Sequence, residues 1–163
     1  MPKKLSLAIA IVLLALGAFY FYNRYKVAPS IDVSKLSLQT LDGQAFDFAS
    51  LKGKKVILSF SASWCGNCIR EMNAMKKIKD TELQGIEIVI IDDEPMETVI
   101  GFKERRDYPF TFLKVEQAFP SVGIHSIPVT YFYNAKQELT GNEVGEIDWQ
   151  DPSTREHFKQ ILN

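Results

Sequence analysis

Apolar residues run almost unbroken from Leu5 to Tyr22, interrupted only by Ser6 and Gly17, and no other part of the chain has that texture. Coiled as a helix, those roughly 18 residues span about 27 Å, close to the hydrocarbon thickness of a bilayer. Lys3 and Lys4 precede the run, Arg24 and Lys26 follow it, and Phe19 to Tyr22 with Tyr25 place aromatic rings at its far end. Rings of this kind favour the headgroup zone. A cleaved signal peptide is the competing reading, with Ala15-Leu16-Gly17 as its cleavage site, although the apolar run continues through that point. A buried core helix is a third. We read residues 1–26 as an uncleaved anchor, residues 27–35 as a short linker, and residues 36–163 as one globular domain facing the extracytoplasmic side.

Beyond the linker the pattern changes to short segments. Leu36 to Thr40 and Ala45 to Phe48 alternate apolar and polar positions around Asp42-Gly43, which predicts a hairpin. Val56 to Phe60 and Ile86 to Ile91 are short apolar runs of the kind a buried strand presents. Between them Cys68, Met72, Met75 and Ile78 recur at helical spacing, with Met72 and Met75 read as core. A second helix is predicted over Met96 to Arg106, strands over Val129 to Tyr133 and Leu139 to Val144, and a closing helix over Ser153 to Leu162. Residues 107–127 offer only a short strand near Phe112 and a helical turn within Glu116 to Val122. Hairpin, strand-helix-strand-helix and strand-strand-helix together predict an α/β sandwich with a mixed sheet. Asp92-Asp93-Glu94 is read as a cap for the helix after Pro95.

Composition sharpens this picture. The 163 residues carry 19 Lys plus Arg against 20 Asp plus Glu, so there is no basic footprint for nucleic acid. That balance conceals two segments: four of the basic residues precede position 27 without an acidic companion, leaving an acidic domain. The 46% apolar content argues against disorder.

Two cysteines are too few for a disulfide scaffold, and they stand three positions apart as Cys65-Gly66-Asn67-Cys68, where a buried strand gives way to an amphipathic helix. Free N–H groups and positive dipole potential at a helix start stabilise a thiolate at Cys65. The first cysteine is the more exposed and the second is shielded in the first turn, which suits attack by Cys65 and resolution by Cys68. A purely structural bridge over so short a loop would remove only about 2 kcal/mol of unfolded-state entropy. A zinc site would need two further ligands, and only His125 and His157 remain as histidines, without metal-site spacing. Incidental buried thiols complete the alternatives. No metal and no separate cofactor is expected; the redox group is the Cys65–Cys68 pair itself.

Ser59-Phe60-Ser61-Ala62-Ser63-Trp64-Cys65-Gly66-Asn67-Cys68 resembles the active-site stretch of thioredoxin-fold proteins, and Ile127-Pro128 ahead of Val129 to Tyr133 resembles the cis-proline loop of that fold. LSLQTLDGQAFDFASLKGKKVILSF, IREM, YPFTFLKV and SIPVTYFYN narrow the resemblance to the membrane-anchored TlpA/ResA-type thiol–disulfide oxidoreductases, over residues 36–163 and with the anchor in place. The resemblance implies a thioredoxin-like three-layer α/β/α sandwich, with the mixed sheet and amino-terminal hairpin already read from the pattern, preceded by one transmembrane helix. It implies that Cys65 attacks and Cys68 resolves, that Pro128 is cis, and that Trp64, Ile127 and Pro128 meet the substrate. Glu71 falls where extracytoplasmic members carry an active-site acid. Spacing bears on it independently, since Cys68 and Glu71 are i, i+3 on one helix face; the alternative is a solvated or dipole-favoured surface acid. Three positions depart from the family pattern: Ser59 replaces the buried aspartate of cytoplasmic thioredoxins, Asn67 a common proline before the second cysteine, and Asn73 a proline in the helix.

The reading that results is an enzyme exchanging dithiol and disulfide with protein substrates. It acts as a reductase of the cytochrome c maturation type, supplied by a membrane electron donor because the chain has no second cysteine pair. A disulfide oxidase or isomerase needing a membrane acceptor is the alternative within the class, and a non-catalytic metal-handling module lies outside it. A peroxidase of the peroxiredoxin type lacks its Pro-x-x-x-Thr-x-x run here. His125, three residues before Pro128, is placed near the site rim as an ordinary loop histidine, and His157 on the surface.

Overall fold

The computed structural model describes residues 3–162, the side chains of residues 3–6 and 26 excepted, so the basic flanks Lys3, Lys4 and Lys26 lie outside the described side chains. Helix α1 covers Lys3–Lys26. Its Leu7–Tyr25 stretch is 19 residues long and apolar enough to cross a membrane, with none of it buried against protein.

Seven strands follow: β1 Leu38–Thr40, β2 Ala45–Phe46, β3 Lys55–Phe60, β4 Ile86–Asp92, β5 Thr111–Val115, β6 Val129–Tyr133 and β7 Leu139–Val144. They form one sheet in the order β2-β1-β5-β4-β3-β6-β7. The central strands β3, β4 and β5 run parallel, while β1, β2, β6 and β7 pair antiparallel at the flanks. The mixed sheet is as the pattern predicts, and the hairpin forms with Leu38 opposite Phe46. Helices α2 Gly66–Ile78, α3 Met96–Arg106 and α4 Pro152–Ile161 complete the element list.

Strict alternation in β3 divides the core in two. Ile57 faces Met72, Met75, Phe102, Phe132 and Phe158 beneath the three helices, with Phe132 stacked on Phe158 at 4.4 Å. Val56, Leu58 and Phe60 face the opposite way, toward Val33, Phe48, Leu51, Phe119 and Tyr131. Short 3-10 turns at Val33–Lys35, Phe48–Leu51 and Phe119–Val122 supply much of the cover on this second face.

Residues 28–33 are held to the domain at Ala28, Pro29, Ile31 and Val33, with Ser30 and Asp32 between them exposed. Tyr131 Oη donates to the Pro29 carbonyl at 2.7 Å, Val33 is buried, and Ala28 and Ile31 pack on the second core. Burial holds the Tyr131 phenol above its ordinary range, so it remains a donor. The segment is a strap laid across the domain.

The acidic trio after β4 does not cap α3. Pro95 is the N-cap, without a side-chain cap bond. Asp92 Oδ1 accepts from the Glu94 N–H at 2.8 Å, Glu94 accepts from the Ser63 N–H and hydroxyl, and Asp93 accepts from the Phe119 N–H. The orphan donors these acids satisfy belong to neighbouring loops, which sequence proximity to α3 conceals.

Candidate active site

Strand β3 delivers the chain to a loop pinned on both sides: the Ser61 N–H donates to Ile91 O, and Ser63 is held by Glu94. The Cys65 N–H turns back to Ala62 O at 3.1 Å. Cys65 is thereby the N-cap of α2, and its Sγ accepts from the Cys68 N–H at 3.2 Å. A cysteine at the cap receives the free donors of the first turn, the environment that favours a thiolate. Cys65 and Cys68 are joined by a disulfide. Exposure ranks as predicted but within a narrow range, 6% for Cys65 and 1% for Cys68; the open surface is Trp64, at 72%.

The Ile127–Pro128 bond is cis. Pro128 O accepts from the Gly145 N–H at 2.8 Å, tying this loop to the turn after β7. Trp64, Phe119, Ile124, His125 and Ile127 form the wall of a groove of about 410 Å³. His125 is half-buried in that wall, with its ring 6.4 Å from the Tyr25 ring.

Glu71 is not a surface acid. It is 1% exposed on the inward face of α2, with Cys68 one turn before it. Its Oε2 accepts from the Ile147 N–H at 3.2 Å and its Oε1 from the Thr130 hydroxyl at 3.3 Å; Thr130 in turn contacts Ser59 Oγ at 3.1 Å. Burial raises its pKa to about 7, against the pull of the Ile147 N–H, the Trp149 indole and Thr130, while Glu146 adds to the rise. The Trp149 indole N–H acts from nearby without a hydrogen bond of its own. Outside, Arg70 clamps Glu146 with contacts of 3.0 and 2.6 Å, fastening the start of α2 to the loop that carries Ile147.

Sequence reading missed Asp92. It is fully buried at the end of β4, one Oδ has no partner, and burial raises its pKa to about 7, with Glu94 and Asp93 adding to the rise and Lys114 opposing it. A signal existed: Ile90 and Ile88, two and four residues earlier, point to the helical core, so Asp92 continues the same inward face.

The Redoxin family model matches residues 26–141. Over 87% of this chain and 85% of its own length, a thiol-disulfide oxidoreductase ResA of Halalkalibacterium halodurans is 29% identical. The thioredoxin-like protein YneN of Bacillus subtilis is 27% identical over 94% of each chain. Among solved structures, a thiol:disulfide interchange protein of the thioredoxin family from Chlorobium tepidum superposes with a TM-score of 0.64 at 26% identity, covering 84% of this chain and 99% of its own. A cysteine pair capping a helix beside a cis-proline loop and a matching family model lead to one conclusion: the chain belongs to the Redoxin family and is a thiol–disulfide oxidoreductase of the ResA/DsbE type.

Proposed function

We propose that the chain is an extracytoplasmic, membrane-anchored reductase of protein disulfides, of the kind that serves cytochrome c maturation. The single observation that carries the mechanism is Glu71, a buried carboxyl on the helix face that also carries Cys68. In the reduced enzyme the Cys65 thiolate attacks a substrate disulfide, forming a mixed disulfide and expelling one substrate sulfur, which takes up a proton. Cys68 passes its proton to the Glu71 carboxylate and displaces the second substrate sulfur. The substrate gains two electrons and the Cys65–Cys68 disulfide closes. A membrane-bound dithiol donor reverses these steps to recharge the enzyme. Trp64 and Ile127 form the surface on which an extended substrate segment lies, with the buried Pro128 fixing the loop behind them, and α1 holds the domain at the membrane.

The test is twofold. A Cys68→Ser variant should accumulate the mixed disulfide with its substrate, whereas Cys65→Ser should trap nothing. The domain's reduction potential, equilibrated against glutathione, should fall well below that of the oxidant class; a value near about −120 mV would sink the reductase reading in favour of an oxidase.

A further inference from the structure

The groove beside the cysteine pair is built from two parts of the chain that the sequence separates widely. One wall is Trp64 and the proline loop; the other includes Arg24 and Tyr25, the last turn of the Leu7–Tyr25 stretch. The Tyr25 ring lies 6.4 Å from the His125 ring, and a single cavity of about 410 Å³ separates Tyr25 from Trp64. This proximity is held in place by the strap. Pro29 is hydrogen-bonded to Tyr131 through its carbonyl, and its ring packs beside Gly123, where an added Cβ would meet Pro29 Cβ at 3.4 Å, an ordinary van der Waals contact. Val33 is sunk in the second core. Only Lys26 and Val27 lie between the lining residue Tyr25 and the packed residues 28–33, too short a run to swing the domain freely.

A helix of this length places its Tyr25 end at the border of the hydrocarbon, where the headgroup layer begins and extends for about 5–8 Å. Trp64 stands one groove away, 72% exposed, with the amphipathic ring that favours that layer. Tyr20, Phe21 and Tyr22 are exposed on the same end of the helix, and Arg24 adds a cation suited to lipid phosphates. From this placement we infer that the Trp64 and proline-loop face of the redox site lies at the bilayer surface, so that Cys65 meets disulfides or dithiols presented at headgroup level by an integral membrane protein. The inference rests on the membrane-anchor reading and adds to it a direction: the site faces the bilayer.

Two measurements on the full chain in phosphatidylcholine vesicles test this. The chain has only two tryptophans, and Trp149 is buried, so subtracting the emission of a Trp64→Phe variant isolates Trp64. In the reduced protein, lipids brominated near the headgroup should lower that emission by about twofold or more, as a ring within the interface requires. A Gly/Ser spacer of about ten residues between Lys26 and Val27, with a root-mean-square span of about 17 Å, should abolish the quenching without altering reduction of a soluble disulfide. The second probe is a phosphatidylethanolamine carrying a pyridyl disulfide. The reduced enzyme converts it to lipid thiol and pyridinethione while closing Cys65–Cys68, so two electrons pass and the count closes. The unmodified chain should react about tenfold faster than the spacer variant with the lipid-borne disulfide, and equally fast with its soluble counterpart. Equal emission in brominated and ordinary lipid, or equal rates on the lipid-borne probe, overturns the placement. Release from vesicles by alkaline carbonate overturns the anchor and the placement with it. Quenching that persists while soluble disulfides are not reduced supports the placement and condemns the redox reading instead.

Discussion

Two buried carboxyls lie beneath the same sheet face, and their surroundings differ more than their titration does. Glu71 and Asp92 are each almost inaccessible, and burial raises each to about 7. Glu71 receives two hydrogen bonds, one from a backbone N–H and one from a hydroxyl, on a helix shared with Cys68. Asp92 receives one, from the Glu94 N–H, and its other oxygen has no partner. A raised pKa therefore reports burial and does not by itself identify a catalytic acid; what distinguishes the two is the group each can exchange a proton with. In the proposed mechanism Glu71 exchanges its proton with Cys68, one turn earlier on the same helix. Asp92 shapes the Asx turn that aims Glu94 at Ser63.

The largest expected difference is in rate. Glu71→Gln should slow dithiol–disulfide exchange about 100-fold near neutrality and remove the limb of the pH–rate profile near 7, the order of magnitude of a lost general acid–base. Asp92→Asn should change the rate about threefold at most, within what a displaced loop causes, and keep that limb. Stopped-flow reduction of a chromogenic disulfide from pH 5 to 9 distinguishes them, and a larger effect at Asp92 would invert the comparison.

Stability comes next, and here the two carboxyls should act in the same direction. A carboxyl whose folded pKa lies above its unfolded one makes the native state bind more protons between the two values. Its contribution is then most favourable below about pH 4 and declines as pH rises toward 7. Asp92 moves from 3.8 to about 7 and Glu71 from 4.5 to about 7. Displacements of this size correspond to roughly 3–4 kcal/mol of destabilisation each at pH 8 relative to pH 4. Urea unfolding of the oxidised protein at both pH values should show Asp92→Asn and Glu71→Gln each removing part of the decline. If neither variant flattens the pH dependence, both carboxyls titrate normally and the comparison collapses.

A third difference concerns the loop that Asp92 serves through Glu94. Glu94→Ala leaves the Ser63 N–H without its acceptor and should cost about 1–3 kcal/mol by urea unfolding, with the limb near 7 unchanged. A shift in that limb would mean that the Asp92 side of the site also exchanges protons with the thiols.

The same contrast explains what the sequence made legible. The inward placement of Glu71 could be found because Cys68 is three residues away on a helix whose periodicity is plain. β3, α3, β6 and β7 were similarly readable, since apolar period and turn residues are local signals. Asp92 terminates an apolar run and looks like the start of a loop; it is instead paired with Lys114 of β5, an element distant in the chain. The strap was read as a linker because its hold, Tyr131 on Pro29, spans 102 residues. The Arg70–Glu146 clamp spans 76, and the Phe119 turn depends on Asp93, in the loop after β4 and 26 residues earlier. Each hidden feature is a polar contact between segments that no periodicity connects.

The finest test lies in the partners of Glu71. Thr130→Val keeps the shape of the side chain while deleting the hydroxyl that favours ionised Glu71, and it leaves the Ile147 N–H in place. Losing a hydrogen bond worth about 1 kcal/mol should raise the Glu71 pKa by about 0.7 units, shifting the rate limb to higher pH while the plateau rate is retained. The sign is diagnostic. If Thr130 merely packed there, stability would fall and the limb would stay; if Glu71 were not the titrating group, the limb would ignore Thr130 altogether. An upward shift in Thr130→Val, absent from the Asp92→Asn background taken alone and preserved when the two changes are combined, would assign the limb to Glu71, because hydroxyl deletion at one carboxyl has no path to the other except through the protons they separately hold.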